Sequence, residues 1–83
     1  MGLTAVAGIA LEDHAPEDAT GLPLLLVHGA GGTRLHWPGA LRRLPGRRVI
    51  AVDLPGHGES APPAERTIGG MALRLAGVLD ALD

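Results

Sequence analysis

Two short stretches hold the side chains that could do chemistry. "VHGAGGT" carries His28 and the glycines Gly29, Gly31 and Gly32, and "VDLPGHGES" carries Asp53, His57, Glu59 and Ser60. A hydroxyl, an imidazole and a carboxylate are the ingredients of nucleophilic catalysis, in which the imidazole takes the nucleophile's proton and the acid orients the imidazole. Ser60 is the sole serine, and "GESAP" falls one residue short of G-x-S-x-G. A nucleophile elbow needs a strand directly before the serine and a helix directly after it. "PGHG" separates Ser60 from the apolar run before it, Pro62 and Pro63 forbid an immediate helix start, and no histidine follows Ser60. The near-match is rejected, and no catalytic residue is assigned in this chain.

Metal chemistry fares no better. His14, His28, His36 and His57 show no i, i+4 pair, there is no H-E-x-x-H, and there is no cysteine, so no metal site is expected. A dinucleotide fold needs G-x-G-x-x-G after its first strand and an acid roughly 20 residues further on. Gly29, Gly31 and Arg34 spell G-x-G-x-x-R, and Asp53 stands near the position of the acid. That partial match makes a dinucleotide-binding module the alternative reading. A P-loop is excluded because the chain has no lysine.

These residues must be placed by elements around them. "TAVAGIALED" reads as two extended pieces hinged at Gly8. "LPLLLV" (22–27) is a continuous apolar run, as expected of a strand covered on both faces. A short helical stretch follows and ends near Leu44, with Pro38 in its first turn. "RRVIAVDL" is β-branched and apolar, a second buried strand. Ile68, Met71, Ala72, Leu75, Leu79 and Leu82 then recur on one helical face, with Thr67 as the cap. Strand, helix, strand, helix with apolar strands predicts a parallel pair in an α/β layer, and residues 1–83 make one domain at most.

Composition narrows the partners. The net charge is −2 and all seven basic residues are arginine, which gives no electrostatic footprint for nucleic acid or anionic membrane. The apolar run "TAVAGIAL" is too short for an export signal or a membrane span, so a cytoplasmic location is the default expectation. The chain has one aromatic residue, Trp37, a candidate pocket-lining side chain.

"LLLVHGAGGTRLHW" followed by "RVIAVDLPGHGES" resembles the α/β-hydrolase superfamily, in its lipase/esterase/haloperoxidase-like branch. The first stretch is similar to the family's third strand and HGxxG oxyanion loop, the second to its fourth strand and D-x-x-G-x-G-x-S turn, and "TIGGMALRLAGVLDALD" to the helix before the elbow strand. The resemblance covers roughly residues 8–83. It implies the N-terminal part of a hydrolase sheet, with two short strands and then parallel β-α-β-α, and an acyl-transfer hydrolase without a cofactor, acting on a small-molecule substrate with an ester as default. It implies oxyanion donors from the backbone N–H of Ala30 and Gly31, with His28, Gly29, Asp53, Gly56 and Gly58 shaping loops. The family's nucleophile, acid and catalytic histidine come after such a helix. The chain is therefore expected to be truncated and inactive by itself, or a non-catalytic remnant. Its third strand would be an open sheet edge, able to self-associate.

Overall fold

A computed structural model describes residues 3–29, 32–54, 56–60 and 67–82. Four strands, β1 (Leu3–Val6), β2 (Ile9–His14), β3 (Leu24–Val27) and β4 (Val49–Val52), form one sheet in the order β1-β2-β4-β3. β1 and β2 make an antiparallel hairpin, β2 runs antiparallel to β4, and β3 runs parallel to β4 with Leu24 opposite Val49 and Val27 opposite Val52. Two short antiparallel strands followed by a parallel pair is the arrangement that the resemblance implies.

The hairpin turns at Ala7 and Gly8, both with positive φ, at 52° and 81°. Two left-handed residues match the twist of the flanking strands, and Gly8 adopts that conformation without steric cost. Ala7 has a Cβ and so carries strain of about 1–2 kcal/mol.

β4 is buried along its whole length because both faces are covered. Ile50 and Val52 join Ile9, Leu11 and Val78 on one face, with Leu25, Leu75 and Leu82 packed against them. Val49 and Ala51 join Leu26 on the other, against Leu24, Trp37, Leu41 and Leu44. The period-2 alternation of a strand thus sorts one apolar run into two layers.

The stretch between β3 and β4 differs in detail from the single helix expected. It forms a 3₁₀ turn over Arg34–His36 and a four-residue helix, α1 (Gly39–Arg42). Pro38 precedes α1 as its cap rather than sitting in its first turn. The residue before a proline is pushed out of the helical region, and Trp37 is extended there, with φ −81° and ψ 137°.

The long helix α2 spans Ile68–Leu82, as the periodicity predicts. Thr67 caps it, its Oγ1 accepting from Gly70 N–H at 2.9 Å. Its buried stripe is rotated from the expected one. Val78 is 1% exposed, whereas Leu79 is 38% exposed. Met71, Leu75, Val78 and Leu82 share the sheet-facing side at spacings of four, three and four, and Leu79 lies one residue, about 100°, further round. The Ile68 side chain lies outside the described residues.

Gly77 is exposed on α2, and a Cβ there would meet nothing within 4 Å. Gly77→Ala is therefore expected to stabilise the chain by about 1 kcal/mol. A melt followed by helical circular dichroism checks this; an unchanged or lower midpoint would contradict it.

Candidate active-site loops

The parallel strands β3 and β4 deliver His28 and Asp53 side by side at their carboxyl ends, which is where open α/β sheets place their ligand crevices. Each side chain reaches into the loop that follows the other strand. The imidazole of His28, 4% exposed, has its Nε2 3.0 Å from the Leu54 N–H. A backbone amide only donates, so Nε2 is the acceptor and Nδ1 carries the ring hydrogen. Nδ1 donates to the Gly29 carbonyl at 2.7 Å, and Gly32 N–H donates to the same oxygen at 3.0 Å. Both ring nitrogens are thereby committed to holding backbone.

Asp53 ties the loops in the other direction. Its side chain is wholly buried. Oδ1 accepts from the Arg34 N–H at 2.7 Å, and Oδ2 accepts from Arg34 Nη1 at 2.7 Å and from the Glu59 N–H at 2.9 Å. Burial pushes the carboxyl group up, but the amides of Arg34 and Glu59 and the adjacent guanidinium outweigh it. Together they hold Asp53 below its ordinary value of 3.8.

Gly58 passes so close to this carboxylate that an added Cβ would lie 2.5 Å from Oδ2, and its φ is +50°. Both facts require glycine. Gly56 is likewise left-handed, with φ 74°. Ser60 closes the turn. Its hydroxyl donates to the Asp53 carbonyl at 2.6 Å and accepts from Ala10 N–H at 2.8 Å, so it fastens the loop to the hairpin. The D-x-x-G-x-G-x-S pattern is thus a knot in which Asp, Gly and Ser each have a separate steric or hydrogen-bonding duty.

Other sequence-selected residues fall elsewhere. Gly29 is not left-handed, and a Cβ on it would meet nothing within 4 Å; what it gives the loop is its carbonyl, which accepts from His28 Nδ1 and from Gly32 N–H. Gly32 is the tighter position, its added Cβ lying 3.2 Å from the Gly29 oxygen. Ala30 and Gly31, the expected oxyanion donors, lie outside the described residues. Trp37 packs on Leu26, Val49 and Ala51 and meets His36 edge-on with ring centroids 5.6 Å apart. The His57 ring centroid is 5.4 Å from that of His28. Sequence reasoning weighed Arg34 only as a missing glycine and missed its part in the Asp53 tie; a basic residue after a glycine loop, with a buried acid ending the next strand, was the available signal.

No group of three or more potential metal ligands occurs among the described residues. A cleft of about 260 Å³ lined by Pro23, Arg48, Ile50, Leu79, Asp80 and Leu82 sits at the amino ends of β3 and β4, opposite these loops.

The alpha/beta hydrolase family model matches residues 24–83, from β3 through α2. The chain belongs to that family. It is 46% identical over 68 residues to a dihydrolipoyllysine-residue acetyltransferase component of an acetoin cleaving system from Pseudomonas putida, covering 76% of this chain and 18% of that protein. It is 35% identical over 80 residues to a haloalkane dehalogenase from Agrobacterium fabrum, covering 94% of this chain and 26% of the dehalogenase. It is 33% identical over 81 residues to Lipase 3 of a Moraxella species, covering 95% of this chain and 26% of the lipase. The chain thus spans about a fifth to a quarter of the length of these relatives. No described helix is long and apolar enough to cross a membrane.

Two substitutions test the knot. Gly58→Ala and Asp53→Asn are each expected to lower the urea midpoint, by about 1–3 kcal/mol in stability. Because the folded-state value of Asp53 is depressed, its contribution is complete above pH 3.8 and is lost as pH falls through the folded value. Wild type should lose stability in that acid range, and Asp53→Asn should lose less. Parallel acid profiles would contradict the assignment.

Proposed function

We propose that this segment is the oxyanion-loop half of an α/β hydrolase active site, working by acyl transfer, with a carboxylic ester as the default substrate. The observation that supports this most is the double tie across the carboxyl ends of β3 and β4, His28 to Leu54 and Asp53 to Arg34. It anchors His28 and Arg34 on either side of Ala30 and Gly31, and in this reading the backbone amides of those two residues serve a developing oxyanion, as the family resemblance implies. The ester default rests on the lipases among the relatives; the dehalogenase among them marks the range of substrates that such a scaffold serves.

The nucleophile, acid and catalytic base of the reaction lie outside these 83 residues in this reading. Ser60 is a poor nucleophile because its hydroxyl is engaged as donor and as acceptor and is 8% exposed. The dinucleotide alternative needs Asp53 to receive ribose hydroxyls, but the carboxylate already accepts three N–H bonds and is wholly buried.

The 83-residue chain is expected to cleave p-nitrophenyl esters no faster than Ser60→Ala. The same substitution should lower stability by about 1–3 kcal/mol, because the buried Ala10 N–H loses its acceptor. Ester turnover abolished by Ser60→Ala would overturn the assignment of Ser60. If the reading frame continues past the Asp83 codon into G-x-S-x-G, the extended chain should hydrolyse these esters; a well-folded extended chain without hydrolase activity would contradict the proposal. Calorimetry should detect no stoichiometric binding of NAD, and micromolar binding would favour the dinucleotide reading instead.

A further inference from the structure

The tie between His28 and Leu54 depends on one lone pair. The imidazole is 4% exposed and Leu54 is 5% exposed, with Nε2 3.0 Å from the Leu54 N–H. A neutral ring accepts there, whereas an imidazolium carries a hydrogen on both nitrogens and accepts nowhere. Protonation therefore sets two N–H groups head to head and leaves a buried amide without its acceptor. The other nitrogen is indifferent to the proton: Nδ1 carries its hydrogen in both forms and goes on donating to the Gly29 carbonyl. The charges around the ring do not offset the loss. Asp53, at the end of β4, is engaged by the Arg34 guanidinium and by the amides of Arg34 and Glu59, and the Glu59 side chain is exposed. His36, in the 3₁₀ turn, is exposed and meets Trp37 edge-on. His57, from the loop after β4, faces His28 with ring centroids 5.4 Å apart, and its own proton adds a like charge.

We propose that protonation of His28 is a switch that frees Leu54 from His28 while Asp53 still holds Arg34 and Glu59. The lock between the two loops thus opens in two stages as pH falls. An imidazolium fits only the parted loops, so acid favours parting across the range in which histidine takes its proton, about pH 8 to 5. The Asp53 tie outlasts that range, because a carboxylate held below its ordinary value of 3.8 keeps its charge throughout it. For a histidine that takes its proton near ~6.5 once parted and takes none while tied, parting is favoured roughly 20-fold more at pH 5 than at pH 7. Where the loop after β3 serves an oxyanion, a neutral His28 is what keeps it in place. That consequence rests on the function proposed above, whereas the switch is read on the chain itself and is tested without any ester turnover.

Native-state hydrogen exchange of the whole chain at about pH 7 and about pH 5, corrected for the intrinsic rate at each, reads the switch at single amides. Protection at Leu54 is expected to fall roughly 20-fold in acid, while Ile50 in β4 and the Arg34 and Glu59 amides on Asp53 keep theirs. Nitrogen NMR of the His28 ring supplies a second readout in the wild-type chain. Nε2 should be the nitrogen without a hydrogen at neutral pH, and should gain one at the same midpoint at which Leu54 loses protection. His28→Gln offers Leu54 an acceptor that does not titrate, so in that variant Leu54 protection should be the same at both pH values. If the variant does not fold, the coincidence of the two wild-type midpoints carries the test. Unchanged Leu54 protection in acid, an equal fall in a folded His28→Gln, an equal fall at Ile50, or an Nε2 that gains its hydrogen while Leu54 stays protected would each overturn the proposal.

Discussion

One buried carboxylate organises this end of the molecule. Asp53 is the first residue past β4, it is wholly buried, and it stays charged because three N–H groups from two loops converge on it. A buried charge that loses its partners costs about 3–5 kcal/mol, so both loops are constrained to approach it closely. Gly58 follows, since a side chain there would occupy the space of the carboxylate. Ser60 follows as well, because the Asp53 carbonyl at the strand end needs a donor and Ala10 N–H needs an acceptor. His28 completes the arrangement from the neighbouring strand by accepting from the next amide, Leu54. Removing the side chain of Asp53, Ser60 or His28 leaves a backbone polar group without its partner.

The scaffold beneath explains why so small a segment can hold this arrangement. β4 is covered by α2 on one face and by Trp37, Leu41 and Leu44 on the other. Two further ion pairs, Arg42 with Glu12 and Arg48 with Asp13, tie β2 to α1 and to the approach to β4. The site end carries the precise hydrogen bonding and the opposite end carries the open cleft, a division that follows from parallel strands pointing their carboxyl ends the same way.

Much of the fold was legible because its signals are local. The hydrophobic run of β4, the span of α2 and the Thr67 cap follow from periodicity and capping chemistry, and the break between β1 and β2 from Gly8; that the two pair as a hairpin with Ala7 also left-handed was not read. The site was legible in part. The pairing of "HG" with "DLPGHGES" located both loops, and Asp53 was read as a loop-shaping residue. The Arg34–Asp53 tie crosses 19 positions, and which of several arginines answers a given acid depends on the register of β3 against β4. The choice of Val78 over Leu79 as the buried residue of α2 was closed to sequence for the same kind of reason: both are apolar, and only the position of the sheet selects one.

Two loops are locked to each other through backbone amides received by buried side chains. Native-state hydrogen exchange, read residue by residue by NMR, tests it most directly. The amides of Leu54 and Glu59 lie outside the strands and helices and that of Arg34 opens the 3₁₀ turn, yet each donates to Asp53 or His28. If the lock exists, they should exchange as slowly as the amides of Ile50 and Val52 in β4, because opening them requires opening the sheet's end. Exchange at these three amides at the rate of unstructured peptide, with β4 still protected, would contradict the account.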